Sequence, residues 1–372
     1  MSHLMRDIRL RGSPNTFIKL LRKDKGMSRK TRSSIVFQIS QAITEINQIG
    51  ISKKEARRKG EEGIHSIKQI KETLSAAQNF GKWIRDEYGV RSIYNLTEEH
   101  YRSYLIHLIE LKRSAGHRQN VETALRHLQK GMAIRSDRLG LKQTIFVPTA
   151  RLTDWRQLKK AEDRSYTQEE FEMILSHVSD NVGDAILLQR YIGLRVREAC
   201  NVCVKHFILD EEGNYSLRIK NEEAKGITKG GRYRNASVPL FFQIELKRML
   251  VSKAADDPLI DVKVSTVRKG VNRACQKAGI NQRGRGTHGF RHLFCRDRLM
   301  LMLEENQILK QGIAMLERIM ANRDKGRKAD YGILSNTDKK IYSQLKGAID
   351  SIHEEIGHGE DRWDLAERYL RI

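Results

Sequence analysis

Thr287-His288-Gly289-Phe290-Arg291-His292-Leu293-Phe294 reads as the opening of a helix in which three-residue spacing stacks His288 and Arg291 on one face. One histidine on a helix is ordinarily a packing residue. With an arginine one turn below it, in a basic chain, the pair suits a phosphate, because the guanidinium fork donates to two phosphate oxygens and stays protonated. Working upstream, Tyr191-Ile192-Gly193-Leu194-Arg195-Val196-Arg197-Glu198 places a second arginine, Arg195, at a helix start, with Glu198 one turn on to orient it. Phosphodiester transfer needs a nucleophile, cations for a five-coordinate phosphorus, and a proton for the departing oxygen. Arg195 and Arg291 are the candidate cations.

The remaining groups follow from the same requirement. Lys229, in Thr228-Lys229-Gly230-Gly231-Arg232, lies between two strand-like runs, where glycines let a lysine swing into a site and protonate a leaving oxygen. Lys225 on the same loop is its rival. Downstream come His358 in Ile356-Gly357-His358 and Tyr369 near the end of the sequence. An unperturbed tyrosine titrates near 10, so Tyr369 as nucleophile needs help in losing its proton.

In chain order, Arg195, Lys229, His288, Arg291, His358 and Tyr369 resemble the two arginines, hairpin lysine, two histidines and tyrosine nucleophile of the tyrosine recombinase family, the phage-type integrases. The resemblance spans about 165–372, with a weaker similarity of 64–148 to that family's core-binding domain. It implies a metal- and nucleotide-independent enzyme without cofactors, in which Tyr369 attacks DNA to leave a 3'-phosphotyrosine and a free 5' hydroxyl. It further implies double-stranded DNA with attachment-type sites as partner, a clamp closing on DNA, a homo-tetramer on DNA that is a monomer in solution, and DNA-bending accessory proteins. Integration or excision of a mobile element such as a prophage is the implied role. A type IB topoisomerase would use the same chemistry, and a DNA-binding architectural protein without catalysis is the reading from a different class.

Composition agrees with a polyanionic partner. The 372 residues carry a formal charge of +23, and lysines and arginines that neutralise phosphates release condensed counterions. No apolar run approaches the roughly 20 residues of a membrane span, and the first residues lack an apolar signal core, so a cytoplasmic, nucleoid-associated protein is expected. Four cysteines suit a reducing compartment. Cys200 and Cys203, with His206 behind them, lack a second ligand pair at zinc spacing and read as buried hydrophobes.

The expected fold is mostly α with a small antiparallel sheet (α+β). Residues 1–60, with fifteen Lys or Arg against four acids, read as a basic N-terminal arm or helical segment. A helical, SAM-like core-binding domain is expected over 61–148, with stripes Ile67, Ile70, Leu74, Ala77, Phe80 and Tyr101, Tyr104, Leu105, Leu108. Thr97 opens one helix there and Gly116 is expected to separate two. A polar stretch at 149–164 reads as a linker and 165–372 as the catalytic domain, with Thr167 and Glu170 forming a capped helix start and strands confined to 204–240. His358 follows Arg291 by 67 positions, longer than the family's connection. Helical stripes in this interval predict an inserted hairpin at about 300–350, suited to core packing or to contacts between protomers. His117, Arg118, Arg126, Lys225, Arg232, Arg234 and Arg285 are candidate DNA-contacting residues.

Two motifs mislead. Gly284-Arg285-Gly286-Thr287-His288-Gly289 spells a dinucleotide-binding pattern without the preceding strand it requires. His353 and His358 superficially suggest a zinc pair, but five-residue spacing turns them about 140° apart on a helix.

Overall fold

A computed structural model describes residues 34–371, apart from residues 52, 61, 159 and 230. The basic arm over 1–33 lies outside the described residues. The chain divides into two compact units, Met1–Lys159 and Lys160–Ile372.

In the first unit, α1 (Ile35–Glu45), α3 (Ile67–Tyr88) and α5 (Ala115–Leu139) pack on one another, accompanied by α2 (Lys53–Arg58) and α4 (Glu98–Glu110). Helical spacing of Ile35, Ile39 and Ile43 buries them against Ile70, Ala77, Phe80, Leu125 and Met132. Residues 35–46 are therefore core rather than arm, a correction to the sequence reading. Ser34, Ser66, Thr97 and Ser114 accept backbone N–H groups at the helix starts, satisfying donors a helix cannot pair internally. Gly116 separates nothing; it sits in the first turn of α5, and the break falls earlier, where Lys112 has φ 54° and Ser114 caps. Part of the stretch read as linker is bound to α5: buried Glu122 accepts from the backbone N–H of Leu152 and Thr153 and from the Thr153 hydroxyl.

The second unit begins with α6 (Gln168–Leu175), where Thr167 and Glu170 form the expected capping box, followed by α7 (Asp180–Tyr191) and the single turn α8 (Val196–Ala199). Three antiparallel strands follow in order: β1 (Phe207–Leu209), β2 (Tyr215–Ile219) and β3 (Arg234–Ser237). Phe207 pairs with Leu217, and Ser216 with Ser237. The fold class is the expected one, mostly helical with a small antiparallel sheet. The first strand is shorter than the sequence suggested, because Val204–His206 forms a 3-10 turn closed by the Cys203 N–H donating to His206 Nδ1.

Beyond the sheet run α9 (Gln243–Leu250), α10 (Val264–Lys277), α11 (His288–Glu305), α12 (Leu309–Asp324), α13 (Asn336–Glu355) and α14 (Trp363–Tyr369). Helices α12 and α13 form a hairpin. Its apolar stripes, including Leu316, Ile319, Leu345, Ile349 and Ile352, share one core with the C-terminal half of α11 and with α14. No helix among the described residues is long and apolar enough to cross a membrane.

Gly131 tests the packing of α5 on α1. A Cβ there would lie 1.9 Å from the Ala42 carbonyl oxygen, so Gly131→Ala must push the helices apart, at a cost of about 1–3 kcal/mol. A Cβ at Gly116 meets nothing within 4 Å. Thermal denaturation is expected to show a clearly lower melting temperature for Gly131→Ala and an equal or slightly higher one for Gly116→Ala.

Candidate active site

The site is built around one buried carboxylate. Glu198, on α8, accepts from Arg195 through its backbone N–H (2.8 Å) and Nη1 (2.6 Å) and from Arg234 Nη1, while Arg291 Nη1 stands 3.6 Å away. Burial pushes the Glu198 carboxyl up, but the three guanidiniums outweigh it and hold its pKa below the ordinary value, so it is ionised. Burial lowers Arg234 to about 9, which leaves it charged at neutral pH.

Gly193 closes the other side. Its carbonyl accepts from Arg234 Nη2 (3.0 Å) and Arg291 Nη1 (2.6 Å). Its φ of 63°, with a Cβ that would lie 2.5 Å from the Phe294 ring, excludes any larger residue. Arg291, fully buried on α11, also donates from Nη2 to the Ile356 carbonyl (2.6 Å). Only two of its five N–H groups are bonded this way; Nε has no partner.

From Ile356 the chain turns through Gly357, at φ 71°, into His358. Arg195 Nη2 donates to His358 Nε2 at 3.0 Å, which places the ring proton on Nδ1. Burial, then Arg291 and Arg195, lower the His358 pKa to about 3, and burial and His288 lower that of His292 to about 4. Both rings are neutral near pH 7.

Tyr369, buried at the end of α14, meets this cluster. Its ring centroid is 4.7 Å from that of His292 and 6.1 Å from that of His358, and the Arg291 guanidinium carbon lies 5.7 Å from it. The hairpin anchors α14: Arg323 donates to Glu367 at 2.5 Å, and Arg371 grips Asp324 with two bonds of 3.0 and 2.7 Å. His288 opens α11 at the surface, its ring 6.3 Å from that of His292. Lys225 and Lys229, both exposed on the β2–β3 loop, line an open cavity of about 720 Å³ together with Arg195 and Arg197.

No family model matches the sequence, and no curated protein is similar to it. Among solved structures, XerH site-specific recombinase bound to palindromic difH substrate, a post-cleavage complex, is similar over 82% of this chain and 90% of that chain, at 18% identity and a TM-score of 0.52. XerH in a pre-cleavage complex with difH matches over 91% and 88%, at 18% identity and a TM-score of 0.51. The chain has the tyrosine recombinase fold.

Within that fold, Arg195, Arg291, His358 and Tyr369 come together, and Lys229 shares with Arg195 the cavity alongside. Several candidate DNA contacts already have protein partners. Arg234 is buried, with its terminal nitrogens bonded to Glu198 and to the Ile192 and Gly193 carbonyls. Arg285 grips Glu170 with two bonds of 2.6 and 2.7 Å and lies 4.4 Å from the Tyr166 ring centre. Arg118 is tied to Gln157 and the Arg113 carbonyl, and Arg126 to the Pro148 carbonyl. His117, Lys225 and Arg232 are exposed. Sequence reasoning passed over His292 as a neighbour of Tyr369; its spacing one residue past Arg291 carried no signal of which face α14 covers. His353 is buried with both ring nitrogens unpartnered, 6.4 Å from the His358 ring. Among the described residues no group of three or more His, Cys, Asp or Glu could hold a metal ion.

Glu198→Gln removes the one negative charge that three arginines share. Breaking a buried pair leaves cations uncompensated at about 3–5 kcal/mol. Urea denaturation is expected to show a loss of this order, with Glu198→Asp intermediate; an unchanged midpoint would refute the hub role.

Proposed function

We propose that the chain is a site-specific DNA recombinase that cleaves and rejoins DNA through Tyr369. The observation that carries this reading is the convergence of the Tyr369 ring with His292, His358 and Arg291 at centroid distances of 4.7, 6.1 and 5.7 Å. The tyrosine recombinase fold and the charge of +23 support it.

In this reading the Tyr369 oxygen attacks the scissile phosphorus and the bond from phosphorus to the 5' oxygen breaks. The phenol proton passes to His292, whose Nδ1 has no hydrogen-bond partner, while His358, its Nε2 already accepting from Arg195, holds that arginine in place. Arg195, which lines the open cavity, donates to the non-bridging oxygens as charge develops on them, and Arg291, buried in this structure, joins it once bound DNA uncovers its free N–H groups. The departing 5' oxygen takes a proton from the β2–β3 loop, from Lys229 ahead of Lys225. The phosphotyrosine conserves the bond energy, so a 5' hydroxyl from a second duplex reverses the step without ATP. A tetramer on attachment-type sites, serving integration or excision of a mobile element with DNA-bending helpers, is the finer form of the proposal. A topoisomerase would use the same cleavage on one duplex.

Two experiments test it. Suicide duplexes nicked beside genomic or attachment-like sequences are expected to trap an SDS-resistant protein–DNA adduct with the native chain and none with Tyr369→Phe. An adduct that persists in Tyr369→Phe removes Tyr369 as nucleophile, and relaxation of any supercoiled plasmid without pairing of sites supports the topoisomerase. For the proton donor, Lys229→Ala is expected to slow cleavage by about 10²–10⁴-fold, the usual contribution of general acid catalysis. Sulfur in place of the leaving 5' oxygen, which needs little protonation, is expected to restore the rate; without rescue the acid lies elsewhere, with Lys225 next.

A further inference from the structure

Two exposed apolar features of the second unit play no part in the site. The first follows β3, where Leu240 (72% exposed), Phe241 (69%) and Ile244 (79%) project from the start of α9. Gln243, between them, accepts from the Tyr215 N–H (2.9 Å) and donates to the Tyr215 carbonyl (3.3 Å), which brings the β1–β2 turn alongside. Leu209, paired with Tyr215 across the strands, adds more exposed apolar surface. The turn itself is Asp210-Glu211-Glu212, three exposed carboxylates in a chain whose net charge is +23. Clustered apolar residues with a charged rim mark an interaction surface more often than scattered single ones do.

The second feature is the tip of the α12–α13 hairpin. Leu334 is 80% exposed and Tyr331 54%. The loop presenting them is braced from within: the buried Asn322 side chain donates to the Ala329 and Tyr331 carbonyls, Arg318 to the Gly332 carbonyl and Asp338, and Ser335 caps α13. A loop held in shape before it meets a partner spares the association its ordering cost. Around it stand Lys325, Arg327, Lys328, Lys339 and Lys340, all exposed.

We propose that the basic hairpin tip of one copy docks, through Leu334 and Tyr331, on the acid-rimmed Leu240-Phe241-Ile244 patch of a second copy. Opposite charge at the rims selects and orients this contact, and apolar side chains on both faces leave water. Within one copy both features stay exposed, Leu334 at 80% and Ile244 at 79%, so the tip does not cover the patch of its own chain. The contact uses different surfaces on the two copies, so each donates a tip and receives one. It stands independently of the cleavage reaction proposed above.

The test is cross-linking in the full chain with Cys200 and Cys203 replaced by alanine; Cys275 and Cys295 are buried. Leu334→Cys and Ile244→Cys variants, each folded by circular dichroism, are treated with a short bismaleimide, alone and mixed, with and without a random-sequence duplex. A dimer band in the mixture that neither variant gives alone is expected. Lys328→Glu in the Leu334→Cys copy is expected to abolish most of that band, and Glu212→Lys in the other copy to restore it. A band from Leu334→Cys alone, or no band in any mixture, overturns the proposal. So does a Lys328→Glu effect seen only as weaker retention of the duplex, which would make the tip a DNA contact.

Discussion

The arginines beside Tyr369 are organised by one buried carboxylate shared among three guanidiniums. Glu198 binds Arg195 and Arg234 directly and stands 3.6 Å from Arg291. Alone, each of these cations would be expelled to water or would repel its neighbours; the desolvation cost of a buried charge is recovered only with good geometry and added hydrogen bonds. The carbonyls of Ile192, Gly193 and Ile356 supply those bonds. Arg234 spends its side chain on structure, leaving Arg195 facing the open cavity and Arg291 with unbonded N–H groups beneath Tyr369.

The hairpin of α12 and α13 belongs to this arrangement rather than hanging from it. Its core includes Tyr369 and Leu370, Arg323 holds Glu367 of α14, and Asp324 holds Arg371 just beyond that helix. The C-terminal end of α13 delivers the Ile356 carbonyl to Arg291 and, one glycine later, His358 to Arg195. A long excursion between Arg291 and His358 thus returns both the histidine and the tyrosine to the same place.

Much of this was legible in the chain. Capping residues such as Thr97 and Thr167, together with apolar spacing, specify helices locally, because an uncapped helix end and a misplaced apolar stripe both cost free energy wherever the helix lies. The short strands and turn residues at 207–237 announced a small sheet within a helical chain. Boundaries were less legible. Gly116 looked like a break, yet a glycine in a first helical turn costs too little to end a helix. The stretch at 149–164 looked free because its polarity hid the bonds that Glu122 makes to it.

The sequence by itself determined which residue types were available and in what order: two arginines in helix-opening contexts, a lysine among glycines, two histidines and a late tyrosine. Tertiary structure alone decided which cations face outward. Arg234 and Arg285 look like phosphate ligands in a string of basic residues, but Glu198 and Glu170 have already taken them. Residue type sets what a side chain can bond; only packing sets what it meets first. Likewise His292 became a neighbour of Tyr369 because α14 folds back across α11, a long-range contact that no local spacing encodes.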